Sequence, residues 1–289
     1  MNASSLRKMM LLVMLTAFDT TVYSLEKDSL KSNVKQPEAA PWLGKYPMTF
    51  FTKTRTAATV GKNRLNVTLK VQDYDWDQVL GSDGDYHDRP SGQTKERLTS
   101  TICAKYGWAK NHHIAFAIPY WFNDFDTTKS NDSQGLSNIY VFEKWRFIQE
   151  TNKTPAVAVD FWYYFPNGDP DRSLGDDNSS YKITTEISKA WKDFSLHFNP
   201  GYTWSEDKDT ETGEINGGLI WKTNEKLYSA IEYNYTEKEH KGHSHDIVPG
   251  LMWKFTKTST FSIGLPINID STFTDRDEFG IILKLAHKW

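Results

Sequence analysis

Three groups of residues in this 289-residue chain could do chemistry: candidate metal ligands in two acidic segments, a row of serine and histidine, and charged residues at intervals. Residues 237–246 carry His240, His243 and His245 among acids, and imidazole with carboxylate is a donor set for Zn²⁺ or Cu²⁺. A His-x-His spacing fixes no geometry unless its segment is ordered, so a solvated loop accounts for the same residues. Asp169, Asp171, Asp176 and Asp177 could draw a divalent cation, or form a plain polar turn. Ser195 and His197 share one face of an extended strand, with Ser188 on the segment before, the minimum for a barrel lipid hydrolase. No nucleophile motif surrounds either serine, so no catalytic residue is assigned, and no cofactor is indicated. The third group is spread along the chain: Lys70, Arg97, Lys105, Lys144, Arg146, Asp160, Glu186, His197, Glu232, Lys254 and Lys284.

What positions that third group is a two-residue period. In 63–76, Leu65, Val67, Leu69 and Val71 take one parity, and Asn66, Thr68, Lys70 and Gln72 the other, as in a strand with one apolar face. The same alternation runs through 95–108, 112–125, 136–148, 155–165, 181–191, 194–205, 214–222, 226–235, 247–255, 260–269 and 278–289. That makes about twelve strands, an even count. Connections alternate too: short ones at 109–111, 151–153, 192–193, 223–225 and 256–258, long ones at 83–93, 126–134, 166–180, 207–212, 237–246 and 271–277. Strands of a soluble sandwich average five to six residues, whereas most of these are long enough to cross a bilayer at a tilt. An open sheet edge in lipid would leave backbone groups unpaired, so the sheet must close. The expected fold is all-β, an antiparallel up-and-down transmembrane barrel.

The rest of the chain fits a secreted envelope protein. Residues 1–24 read as a signal peptide, with Arg7 and Lys8 before an apolar run that is too short to span a membrane as a helix. Residues 25–62 read as a polar periplasmic lead-in with no clear period, and 63–289 as the barrel. The single Cys103 cannot form an internal disulfide. Aromatics at 14% suit the two girdles of a membrane barrel. A net charge of -3 excludes a basic nucleic-acid footprint.

The middle of the chain resembles the outer-membrane "meta-pathway of phenol degradation" family. The likeness rests on Gly135-Leu-Ser-Asn-Ile-Tyr-Val-Phe-Glu-Lys-Trp-Arg-Phe147, Thr154-Pro-Ala-Val-Ala-Val159 and the corner Phe165-Pro-Asn-Gly-Asp169 with Gly175. Ser195-Leu-His-Phe-Asn-Pro-Gly-Tyr202 and Val248-Pro-Gly-Leu251 resemble further recurring pieces of it. Departures are Ser137-Asn138 where Gly-Asp is usual, Trp145 for Tyr, and Asn167 for the Thr of the corner. The resemblance implies a bacterial outer-membrane barrel of transporter type and carries no substrate with it.

If the apolar faces meet lipid, the eleven residues of the third group point into the lumen. There they either pair and stabilise the barrel or form a constriction that selects solutes. The functional expectation is a porin-like channel for small molecules, hydrophobic or aromatic ones among them. The alternative is a structural or surface-binding barrel with a closed lumen. The C-terminal Phe279, Ile281, Leu283, Leu285 and Trp289 alternate like the signal that the barrel-assembly machinery reads, with His287 the polar interruption. Expected partners are therefore outer-membrane lipid, that machinery and a small solute. Glu143 breaks the lipid face of its strand, so it must lie near the headgroups or the local register must differ.

Overall fold

A computed structural model describes residues 51–90, 93–126, 132–206, 211–276 and 280–289; the expected signal peptide, the first part of the lead-in and Phe279 lie outside them. Twelve strands form the barrel. They are β1 Leu65–Asp75, β2 Thr94–Ala109, β3 His112–Asp126, β4 in two pieces Ser133–Leu136 and Tyr140–Ile148, β5 Ala156–Tyr164, and β6 Ser180–Ala190. The chain continues as β7 Phe194–Ser205, β8 Thr212–Lys222, β9 Leu227–Lys238, β10 Gly242–Lys254, β11 in two pieces Ser259–Gly264 and Ile267–Ser271, and β12 Ile281–Lys288. Each pairs antiparallel with the next, and β12 returns to β1, from Asn66 opposite Lys288 to Asp73 opposite Ile281. The Trp289 N–H completes the seam by donating to the Leu65 carbonyl at 2.9 Å. Among the described residues the barrel sheet has no open edge, as a strand structure in lipid requires.

Burial is inverted relative to a water-soluble protein. Ile102 is 55% exposed and Leu285 45%, whereas Asp160, Glu186 and Glu232 are 0% exposed. Apolar side chains therefore cover the outside and polar ones fill the inside. That arrangement is stable only where the outer solvent is hydrocarbon. No helix among the described residues is long and apolar enough to cross a membrane. Trp108, Trp145, Trp191, Trp221, Trp253 and Trp289 all lie toward the end of the barrel with short turns. Trp76, Tyr120, Trp204, Tyr233 and Tyr235 lie toward the end with long connections. These are the two aromatic belts of a membrane barrel. Glu143 sits in the first belt: its carboxylate meets His112 Nδ1 at 3.2 Å, and Trp145 stacks on that imidazole. The register is as expected and the charge is near the headgroups.

Two expectations need correcting. The segment 237–246 is mostly strand: β9 runs to Lys238 and β10 starts at Gly242, with Glu237 opposite His243 and Tyr235 opposite His245. Above the membrane belt both faces of a strand are polar, so the sequence there looks like a loop. The turn is tight because His240 and Gly242 adopt positive φ, 60° and 112°. The described part of the lead-in is the second correction. Residues 51–60 lie inside the barrel and 61–64 turn directly into β1, with Arg64 N–H donating to the Gly61 carbonyl at 3.0 Å. At that turn a Cβ on Gly107 would stand 2.1 Å from the Gly61 carbonyl oxygen, so β2 needs glycine where the segment leaves the barrel.

Candidate functional site in the barrel lumen

The centre of the lumen is organised around residues 51–60. Glu232 on β9 points its buried carboxylate at four successive backbone N–H groups: Phe51 and Thr52 donate to Oε2 at 3.1 and 3.0 Å, Lys53 and Thr54 to Oε1, each at 2.6 Å. Successive N–H groups form a nest for an anion, here a side chain of the wall. Arg55 N–H donates to Asn199 Oδ1 at 2.7 Å, and Ala57 N–H to Ser188 Oγ at 2.8 Å. Lys144 Nζ donates to the Thr56 carbonyl at 2.9 Å, and Val60 N–H to His113 Nδ1 at 3.3 Å. Arg55 makes an isolated β-bridge, and side chains of the wall satisfy much of the rest of the segment's backbone.

Small residues let it lie close. Ala57 and Ala58 pack with Ala156, Ala158, Ala190 and Ala230 in one buried cluster. Gly250 and Gly264 are opposite one another on β10 and β11, and a Cβ on either would come within 2.6 Å of the Phe51 ring. Phe51, fully buried, is thus an anchor seated on a glycine pair.

The charges divide by strand. Lys70 faces Lys284 across the seam of β1 and β12, with Lys105 on β2 and Lys144 on β4. Asp160, Glu186 and Glu232 belong to β5, β6 and β9. Lys144 Nζ reaches Glu186 Oε2 at 2.5 Å and Asp160 Oδ1 at 3.8 Å, and Arg55 of the inner segment approaches Asp160 Oδ2 at 3.8 Å. The Arg55 guanidinium also lies 4.0 Å above the Trp162 ring and 4.9 Å from Phe142. Phe142 and Trp162 are stacked, centroids 4.0 Å apart, with Tyr140 and Tyr164 against Trp162. Sequence reading missed this inward aromatic wall. Its signal was present, since Phe142 and Trp162 take the parity opposite to the lipid-facing Val141 and Phe161.

The remaining candidates lie toward the two ends. Arg97, at the long-connection mouth, donates to Asn123 Oδ1 at 2.6 Å and to the Ser173 carbonyl at 3.0 Å, and lies 3.9 Å over Trp121. Arg146 and Lys254 sit near the short-turn end, on Asn111 Oδ1 at 3.0 Å and the Tyr228 hydroxyl at 3.1 Å. The Arg97 contact draws the corner 165–176 over the mouth. Asn138 Nδ2 donates to the Phe165 and Asp176 carbonyls at 2.7 and 2.6 Å, and Ile139 N–H donates to Asn167 Oδ1 at 2.9 Å. Asn138 and Asn167, both departures from the family pattern, therefore fasten one corner.

Ser188, Ser195 and His197 do meet. Ser188 Oγ is 2.8 Å from His197 Nδ1, and Ser195 Oγ is 2.9 Å from Nε2. A hydrolytic serine needs a base oriented from its far side by a third group. Here a second serine occupies that side, and Ser188 also accepts the Ala57 N–H, so the row ties the inner segment to β6 and β7. The histidines separate: His243 and His245 converge on Asp270, whereas His240, in the turn, lies 3.6 Å from its neighbour Glu239. Of the last-strand residues, Ile281, Leu283, Leu285 and Trp289 all face outward.

A family model described as "Putative MetA-pathway of phenol degradation" matches residues 51–279, a span that includes the inner segment. Among curated proteins none matches the chain. Among solved structures, an outer-membrane channel from Pseudomonas putida F1 is 10% identical, with a TM-score of 0.65 over 81% of this chain and 98% of that one. The NanC porin is 12% identical, with a TM-score of 0.52 over 78% of this chain and 100% of that one. At such identities the likeness is one of fold.

Proposed function

The chain belongs to the phenol meta-pathway family, and on that premise we propose that it is a channel of the bacterial outer membrane for small molecules, hydrophobic or aromatic ones among them. Its short turns then face the periplasm and its long connections the outside. The observation that carries the reading is the lumen. A charged and aromatic interior lies behind an apolar wall, and what occupies its middle is a segment held by side-chain hydrogen bonds, displaceable without breaking the sheet. The Phe142–Trp162 wall offers stacking to an aromatic solute. Basic and acidic strands facing one another set a field across the path, as charged rings do in pores. The barrel is read as non-catalytic, its last strand as the part that the assembly machinery recognises, and the membrane lipid as its other partner.

A structural or surface-binding barrel is the second reading, favoured by the same inner segment and by the corner drawn over the mouth. Conductance in planar bilayers and swelling of liposomes separate the two. The native protein should show small conductance, and Glu232→Gln, which removes the anion from the backbone nest, should raise it severalfold and speed entry of phenol into liposomes. If both proteins are silent, the structural reading replaces the channel.

A further inference from the structure

Where β10 and β11 rise beyond the aromatic belt, two imidazoles and a carboxylate converge on the outer wall. His243 Nε2 lies 3.2 Å and His245 Nε2 3.9 Å from the same oxygen, Asp270 Oδ2. The three ligand atoms fall within 4.8 Å of one another. We propose that His243, His245 and Asp270 form a binding site for one borderline divalent transition-metal ion, Cu²⁺ or Zn²⁺.

Two features of the backbone and its surroundings support the site. The first is a bulge. Ile247 faces Ile267 and Asp246 faces Asn268, yet His245 faces Asp270, so Ile269 is the extra residue of its strand. Without it Ile269 would stand opposite His245 and Asp270 would take the inward parity; the bulge turns the carboxylate to the face of the histidines. The second is what holds the other ring nitrogens. His245 Nδ1 is 2.6 Å from the Tyr233 hydroxyl, and His243 Nδ1 is 3.3 Å from Thr272 Oγ1. Each hydroxyl can accept an Nδ1–H, which leaves the Nε2 lone pair directed at the shared point. A hydrogen bond on the far nitrogen is how a metal-ligating histidine is oriented and its tautomer fixed. The His243 backbone N–H also donates to Thr272 Oγ1, at 2.9 Å, so one threonine fixes both backbone and ring.

Two histidines and one carboxylate leave positions for water, which suits Zn²⁺ and Cu²⁺, with Cu²⁺ bound more tightly. Asp270 is separated from the histidines by the whole hairpin of β10 and β11 and offered no sequence signal beside them. His240, which sequence places with the other two, is held by the turn away from the site.

The test uses untagged full-length protein in detergent, titrated with CuCl₂ and ZnCl₂ by calorimetry and followed for Cu²⁺ by electron paramagnetic resonance. One Cu²⁺ per chain should bind, with hyperfine coupling to two imidazole nitrogens. His243→Gln and His245→Gln should each weaken binding at least tenfold and remove one nitrogen from the spectrum. Tyr233→Phe should weaken it about 10–100-fold, the usual effect of losing an orienting partner, while His240→Gln should change nothing. Retained heat-modifiable migration shows that each variant is folded. Native-like Cu²⁺ binding by folded His243→Gln and His245→Gln, or equal weakening by His240→Gln, overturns the proposal.

Discussion

The outer wall and the lumen are made by the same strands, one residue apart, and are specified in different ways. On β1, Leu69 is outward and Lys70 inward. Outward positions need only be apolar, because lipid presents no complementary shape, and Leu, Ile, Val and Phe alternate there freely. Inward positions are particular. Glu232 matches four N–H groups, Gly250 and Gly264 leave room for one ring, and Lys144 has two carboxylates and a carbonyl to satisfy. The wall tolerates exchange of one apolar residue for another, and the lumen does not tolerate exchange of partners.

The largest expected effect follows from the most buried of these partners. Replacing Lys144 by Met leaves Asp160 and Glu186, both 0% exposed, without the ammonium that reaches them both, and the Arg55 guanidinium stands 3.8 Å from Asp160. Breaking a buried pair from one side typically costs about 3–5 kcal/mol. The midpoint of urea unfolding in liposomes should fall accordingly, and Lys144→Met with Glu186→Gln should recover part of the loss because the two changes share a partner. A loss no larger than that of a surface lysine would show that the lumen is wet enough to screen the cluster.

A smaller loss is expected from the wall. Leu69, opposite Ile102 on one side and Leu285 on the other, lies near the middle of the lipid belt. Leu69→Arg should cost about 2–4 kcal/mol, the range for a cation at the bilayer midplane. Lys70→Leu, at the next residue, should leave the unfolding midpoint nearly unchanged and lower anion permeability instead. If the neighbouring substitutions exchange these roles, the register of β1 is wrong, since a slip of one residue turns every side chain to the other face.

That contrast also explains what could be read from the sequence. The wall was legible because period alone encodes it: β7 and the sequence-read strand 194–205 coincide, and β1, β2 and β3 agree within two residues. Residues 51–60 were not legible as an inner segment, because a chain bonded to side chains carries no period. Their trace lay in the wall instead, in Ala156, Ala158, Ala190 and Ala230 and in Gly250 and Gly264, small residues at inward positions where a wide lumen would otherwise hold larger ones. Glu232 looked like any lumen acid, since its four partners lie about 180 residues away. Asp270 was missed for a local reason. Simple alternation puts it with the inward residues, and only the bulge at Ile269 brings it to His245.

The smallest effect should come from a pair like that of Lys144 placed outside the lumen. Asp275, in the last long connection, accepts from Arg89 Nη2 at 2.6 Å and from Lys95 Nζ. It stands on a small three-stranded sheet of Asp275–Arg276, Gln78–Leu80 and Tyr86–Asp88, which joins the first long connection to the last. Partial burial works against its charge, but the hydrogen bonds and charges of Lys95 and Arg89 outweigh that and hold its carboxyl below the ordinary value of 3.8. Because the folded value lies below the unfolded one, the clamp contributes fully above pH 3.8 and is lost as pH falls from there through the folded value. Asp275 is 25% exposed, so solvent screens the pair and its worth should be about 0–1 kcal/mol. Spin labels at Asp83 and Thr274 should therefore report a distance distribution that is narrow at pH 7 and broadens below pH 3.8, with the barrel still folded. Asp275→Asn should give the broad distribution at both pH values. A distribution that stays narrow in acid would mean that the Leu80 N–H to Thr274 carbonyl bond, 2.9 Å, holds the sheet without the ions.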